Sequence, residues 1–110
     1  MTLSQKQRLF FKLISELRVR TLAQGYEFTD GEAYRPPETA AVYAAKGIGV
    51  KDSLHTLKLA EDLNLFIDGI YRTTTDAHRP IGEMWKTMHP ACRWGGDFKK
   101  PDGNHYELDP

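Results

Sequence analysis

His55, Asp62, Asp102 and His105 are the side chains of this sequence whose types and spacing could do chemistry. Asp62 follows His55 by seven residues, and Asp102 precedes His105 by three. Imidazole nitrogens and carboxylate oxygens are zinc donors, and a spare carboxylate beside such a site is a candidate base for hydrolysis. Each residue also has a plainer reading. An isolated histidine is more often a surface or hydrogen-bonded residue than a ligand, an acidic residue within LKLAEDLNLF could be solvated, and Pro-Asp-Gly-Asn is a good polar turn. That turn does not account for a histidine opening the strand after it. The other two histidines, His78 and His89, lie in a polar stretch around a predicted helix with no carboxylate pattern near them.

Sharing one ion would constrain the backbone between His55 and Asp62. On a continuous helix they would stand about 10 Å apart along the axis at 1.5 Å per residue, too far for donors that must each lie about 2 Å from zinc. On a continuous strand their odd spacing sends them to opposite faces. A loop ending near His55 and a strand carrying Asp62 let both converge.

The elements around these residues follow from periodicity. Residues 3–22 predict an amphipathic helix with Phe10, Leu13, Ile14 and Leu17 inward, Leu3 two turns earlier on the same side, and a capping box from Ser4 and Gln7. Residues 25–35 read as turn and short strand. Pro36 and Pro37 open a helix over Glu38–Lys46 that Gly47 ends. After a polar loop, residues 57–67 alternate as a strand with Leu57, Leu59, Leu63, Leu65 and Ile67 on one face and Asp62, Asn64 and Phe66 on the other. Glu61 falls on the leucine side and is expected to be solvated. Asp68-Gly69 turns this strand into Ile70–Arg72. Thr75 or Asp76 caps a third helix with Pro80 in its first turn, running to Met88. RWGGDFKKPDGNHYEL gives two short strands joined by a loop. The expected fold is α+β, a small, mainly antiparallel sheet flanked by helices.

At 110 residues the chain is expected to be one domain over 1–110, burying roughly 65% of its unfolded surface. Fifteen basic residues balance fifteen acidic ones, which gives no bulk attraction for nucleic acid or an anionic membrane. No stretch reaches the ~20 apolar residues of a membrane helix, and the charged N-terminus lacks the apolar run of a signal peptide. The single cysteine, Cys92, excludes an internal disulfide and is expected to be a small buried hydrophobe.

Together the motifs resemble the zinc peptidases of the D-Ala-D-Ala carboxypeptidase and dipeptidase group, and among them the compact phage endolysins that are L-alanyl-D-glutamate endopeptidases. The group's first motif is Ser-x-His, two residues, then Gly-x-Ala-x-Asp. Here it stands as Ser53-Leu54-His55-Thr56-Leu57-Lys58-Leu59-Ala60-Glu61-Asp62, with Lys58 in the glycine position. The second, an acidic residue, two others, His and a hydrophobic strand, stands as Asp102-Gly103-Asn104-His105-Tyr106-Glu107-Leu108, after Arg93-Trp94-Gly95-Gly96-Asp97. An arginine between a strand and a helix matches Arg35, which could otherwise be a surface salt bridge.

The resemblance covers residues 25–110 and implies a Hedgehog/DD-peptidase-like fold. It implies zinc on His55, Asp62 and His105, Asp102 as general base, Arg35 steadying the substrate carbonyl or carboxylate, and Ser53 orienting a ligand or the substrate from behind. The implied substrate is a peptidoglycan stem peptide, cut by a monomeric phage or prophage enzyme. That enzyme would be made in the host cytoplasm and reach the wall after a holin-type lesion. The same motifs fit a D-Ala-D-Ala carboxypeptidase or a non-catalytic wall-binding or virion module.

Overall fold

The computed structural model describes residues 1–47 and 53–110. Three helices, α1 (Leu3–Ala23), α2 (Pro37–Ala45) and α3 (Thr75–Met88), accompany five strands: β1 (Glu27–Asp30), β2 (Ala60–Ile67), β3 (Ile70–Arg72), β4 (Cys92–Trp94) and β5 (His105–Leu108). The sheet is antiparallel, in the order β1-β2-β5-β4, with β3 also paired to β2. The α+β class expected from the sequence is therefore the observed one. The polar loop expected ahead of β2 includes residues 48–52, which lie outside the described residues. No helix among the described residues is long and apolar enough to cross a membrane.

One face of the sheet carries the core. From α1 come Phe10, Leu13, Ile14 and Leu17, and from α3 Ile81 and Trp85. They close on Leu63 and Leu65 of β2, Cys92 and Trp94 of β4, and Tyr106 and Leu108 of β5. These strand residues alternate with Asp62, Asn64, Arg93, His105 and Glu107, so the polar set occupies the opposite face. The same alternation that builds the core thus delivers Asp62 of β2 and His105 and Glu107 of β5 to one face.

Several local expectations are corrected. The capping box of α1 uses Thr2 and Gln5, since Thr2 accepts from the Gln5 N–H and the Gln5 side chain accepts from the Thr2 N–H. Thr2 and Ser4 both begin the same four-residue pattern, and the helix takes the earlier. Leu3 is 46% exposed, because the first turn overhangs the core. Thr74 caps α3, one residue before the predicted position, which leaves Pro80 in the second turn. Glu61 is buried, not solvated, and ion-paired with Arg18 of α1. His78 is also buried, its Nδ1 3.2 Å from the Tyr106 hydroxyl.

β2 begins at Ala60, not at residue 57, because Leu54–Leu57 forms a single 3-10 turn. Lys58 ends that turn with φ 58°, in the left-handed region. This conformation costs a non-glycine residue about 1–2 kcal/mol, and it accounts physically for a glycine at this position of the motif. Lys58→Gly should raise stability by up to about 1 kcal/mol, the backbone relief being partly offset by the entropy glycine adds to the unfolded chain. The denaturant midpoint reads this out. A lower midpoint would mean that the Lys58 ammonium, 5.2 Å from the Tyr34 ring centre, outweighs the strain.

Candidate metal centre

Two local structures bring the first histidine to the open face. The Leu54–Leu57 turn carries His55, and the left-handed Lys58 reverses the chain into β2, where Asp62 is the third residue. Ser53 supports the turn, its Oγ accepting the His55 N–H at 3.3 Å and its carbonyl accepting the Thr56 hydroxyl at 2.6 Å. Ser53 therefore holds the His55 backbone and makes no hydrogen bond to the ring. The second histidine arrives by strand pairing. Asp62 and His105 are directly opposed in the β2–β5 register, which places their side chains on one face and in contact.

The three side chains meet. His55 Nε2 lies 3.3 Å from Asp62 Oδ1, and His105 Nδ1 lies 3.2 Å from the same oxygen. The ring centres are 5.1 Å apart. One donor atom from each of the three falls within 4.8 Å of the others, close enough to hold a single metal ion. Both histidines are buried and Asp62 is partly so.

The outward nitrogens are already committed. His55 Nδ1 is 2.8 Å from the Ala33 carbonyl. A carbonyl only accepts, so Nδ1 carries the proton and the Nε2 lone pair faces Asp62. His105 Nε2 is 2.7 Å from Glu107 Oε1, and Arg93 Nε donates to Glu107 Oε2 at 2.7 Å. Anchoring of this kind fixes ring orientation and raises ligand basicity. Glu107 and Ala33 were not singled out in the sequence. His-x-Glu on one strand does place both side chains on one face, so Glu107 had a signal; Ala33 acts through its backbone and had none.

Charge in the triad is coupled. Burial alone would raise the Asp62 pKa, but hydrogen bonds from His105 and His55 and their charges hold it down at about 2. Burial alone would lower the His105 pKa, yet hydrogen bonds to Asp62 and Glu107 and the charges of both carboxylates lift it to about 9.

Asp102 stands in the turn before β5, where its carbonyl accepts the His105 N–H at 3.1 Å and its N–H donates to Gly95 at 2.9 Å. Its residue is surface-accessible, but the walls around its carboxyl push the pKa up, and the charge of Asp62 adds to that. Arg35 borders the site on the His55 side. Its N–H donates to the His55 carbonyl at 3.0 Å and its Nε to Glu32 Oε1 at 2.7 Å, and Glu32 in turn lies 3.8 Å from His55 Nδ1. The salt bridge foreseen as the alternative for Arg35 exists, but it is partly buried and adjoins the triad. His89 accepts the Ala91 N–H beyond the end of α3. Cys92 is buried in the core, which raises its thiol to about 11 and makes it a poor nucleophile.

No protein-family model matches the chain, and no curated protein matches it. Solved structures do. The L-Ala D-Glu endopeptidase ChiX of Serratia marcescens superposes with a TM-score of 0.57 at 21% identity, over 74% of this chain and 65% of ChiX. A mutant of the vancomycin resistance D,D-pentapeptidase VanY, from a VanB-type cassette and in complex with Zn(II), superposes with a TM-score of 0.60 at 22% identity. That match covers 92% of this chain and 71% of VanY. The fold is the one those peptidases share, and this chain spans about two thirds of their length.

Proposed function

We propose that this chain is a zinc-dependent hydrolase of peptide bonds in bacterial peptidoglycan stem peptides. The observation that carries the reading is the meeting of His55, Asp62 and His105, with outer nitrogens anchored, beside a carboxylate that is not among them. Three protein donors leave a tetrahedral ion one position open, the pattern of hydrolytic and not of structural zinc. The fold shared with ChiX and with zinc-bound VanY supports both the ion and the substrate class.

When bound, zinc supplies Lewis acidity, polarising the scissile carbonyl and bringing the pKa of water to about 7. Asp102 takes the proton of the attacking water and returns it to the leaving amine, and its raised pKa moves it toward that working range. Arg35, steadied by Glu32 and 5.4 Å from the Tyr43 ring centre, offsets negative charge on the carbonyl oxygen as the tetrahedral intermediate forms. Glu107 and the Ala33 carbonyl keep the two rings turned inward.

The finer reading is a monomeric single-domain L-alanyl-D-glutamate endopeptidase of phage lysis, reaching the wall from the cytoplasm after membrane release. The pattern from Ser53 to Asp62 and from Asp102 to His105 supports it. VanY, which overlaps more of the chain, favours a D,D-peptidase as the second reading. Mass spectrometry of digested muropeptides separates the two by the bond lost.

The test is metal removal. Purified protein should carry zinc, lose peptidoglycan cleavage on chelation and regain it with zinc. Full cleavage by metal-free protein would overturn the reading. Because zinc must displace the proton of His105, held at about 9, apparent affinity should fall about tenfold for each pH unit below that value. Above it, affinity should level off.

A further inference from the structure

Four side chains adjoin the His105 imidazole. Asp62 Oδ1 stands 3.2 Å from its Nδ1, and Glu107 Oε1 stands 2.7 Å from its Nε2. The His55 ring centre is 5.1 Å away, and that of Phe98 is 5.7 Å away with the two planes inclined at 54°. His55 and Glu107 are buried and Asp62 is partly so, whereas Phe98 is 37% exposed. Phe98 is thus the outermost of the four, an apolar ring at the rim of the metal centre.

Folding does not account for this ring. Among the described residues Phe98 takes no part in the core cluster and packs on no aromatic side chain other than His105. Its backbone is nevertheless fixed. The Phe98 N–H donates to the Gly95 carbonyl at 3.1 Å, closing the 3-10 turn Gly95–Asp97. Asp97 in turn accepts from Lys86 of α3 at 2.7 Å. The same Gly95 carbonyl accepts the Asp102 N–H at 2.9 Å. One acceptor therefore ties the rim ring and the base of the proposed reaction to a single frame.

The scissile carbonyl has to come to the triad, so the side chain of the residue that supplies it meets the groups bordering the ligands. Of the four neighbours of His105, two are carboxylates and one is an imidazole. Only the phenyl ring offers apolar surface. A charged side chain laid against it would lose hydration without gaining a partner, whereas a methyl group gains from leaving water. Both bonds considered above, L-alanyl-D-glutamate and D-Ala-D-Ala, carry alanine on the carbonyl side.

We infer that Phe98 is a substrate-contacting residue, its ring being the surface against which the methyl group of that alanine packs. The inference rests on the hydrolytic reading above and adds to it the side chain that selects alanine at the cut bond.

Two synthetic stem peptides, identical except for alanine or glycine on the carbonyl side of the cut bond, test it with the zinc-loaded protein. Burying one carbon group of this size is worth about fourfold, so wild type should cleave the alanine peptide with a kcat/KM higher by about that factor or more. Phe98→Ala should lower kcat/KM for the alanine peptide by about fourfold and leave the glycine peptide nearly unchanged. Phe98→Leu, which keeps an apolar surface, should retain most of the preference. Zinc affinity, read by competition with a chelating dye, should stay that of wild type in both variants. Equal cleavage of the two peptides by wild type, a preference that survives in Phe98→Ala, or an equal loss on both peptides would overturn the inference and leave the hydrolase reading standing. Weakened zinc binding with the preference intact would overturn it too, by making the ring a cover for His105. Cleavage of neither peptide by wild type, with zinc bound, would defeat the hydrolase reading and this inference with it.

Discussion

Asp102→Ala should lower kcat by about 10²–10⁴-fold, the usual worth of a positioned base, while the protein keeps its zinc. His105→Ala should lose both. The separation follows from where the two side chains stand. His105 opposes Asp62 across the β2–β5 pair and supplies one of three mutually close donors, so its removal leaves two ligands. Asp102 supplies none of the three, and its backbone, not its carboxylate, makes the turn bonds to Gly95 and His105. Truncating its side chain leaves that turn intact.

The paired measurement is zinc content and single-turnover cleavage on the same preparations. Asp102→Asn should resemble the alanine variant, because an amide keeps the shape and cannot take the proton. Equal zinc loss in the Asp102 and His105 variants would make Asp102 a ligand and remove the base from the mechanism. Undiminished cleavage by Asp102→Ala would do so as well.

The parts legible in the sequence were those written in short-range periodicity. Phe10, Leu13, Ile14 and Leu17 repeat at helical steps and all are buried; Asp68-Gly69 is a two-residue turn with φ of 54° and 75°. Leu63 and Leu65 alternate with Asp62 and Asn64, which was enough to put the two polar residues on the open face. The meeting of His55 with Asp62 was legible only as a requirement for a bend. The bend itself is the positive φ of Lys58, and lysine carries no signature for that conformation.

Burial of Glu61 was illegible for a related reason. Its cation, Arg18, comes from a distant helix, and a carboxylate amid leucines reads as solvated until its partner is in place. The Ala33 carbonyl that orients His55 is invisible in principle, since every residue has one. Long-range pairing and backbone conformation, not composition, completed the site.

Gly95→Ala should disable the protein through the same turn that carries Asp102. A Cβ at Gly95 would stand 2.2 Å from the Asp102 carbonyl oxygen and 2.8 Å from His105 Cβ. That oxygen accepts the His105 N–H, and the Gly95 carbonyl accepts the Asp102 and Phe98 N–H groups, so the methyl cannot be admitted without moving the base relative to a ligand. Displacements near 1 Å cost about 10² in rate, and overpacking costs about 1–3 kcal/mol of stability. Ile14→Val separates these effects. It trims a buried side chain of α1 on the core face of the sheet, opposite the triad, at about 0.5–1.5 kcal/mol. Below its own unfolding midpoint, Ile14→Val should cleave nearly as wild type, whereas folded Gly95→Ala should be slower by about a hundredfold. If the two variants lose stability alike and both keep wild-type rates while folded, the turn from Gly95 to His105 does not set the position of the base.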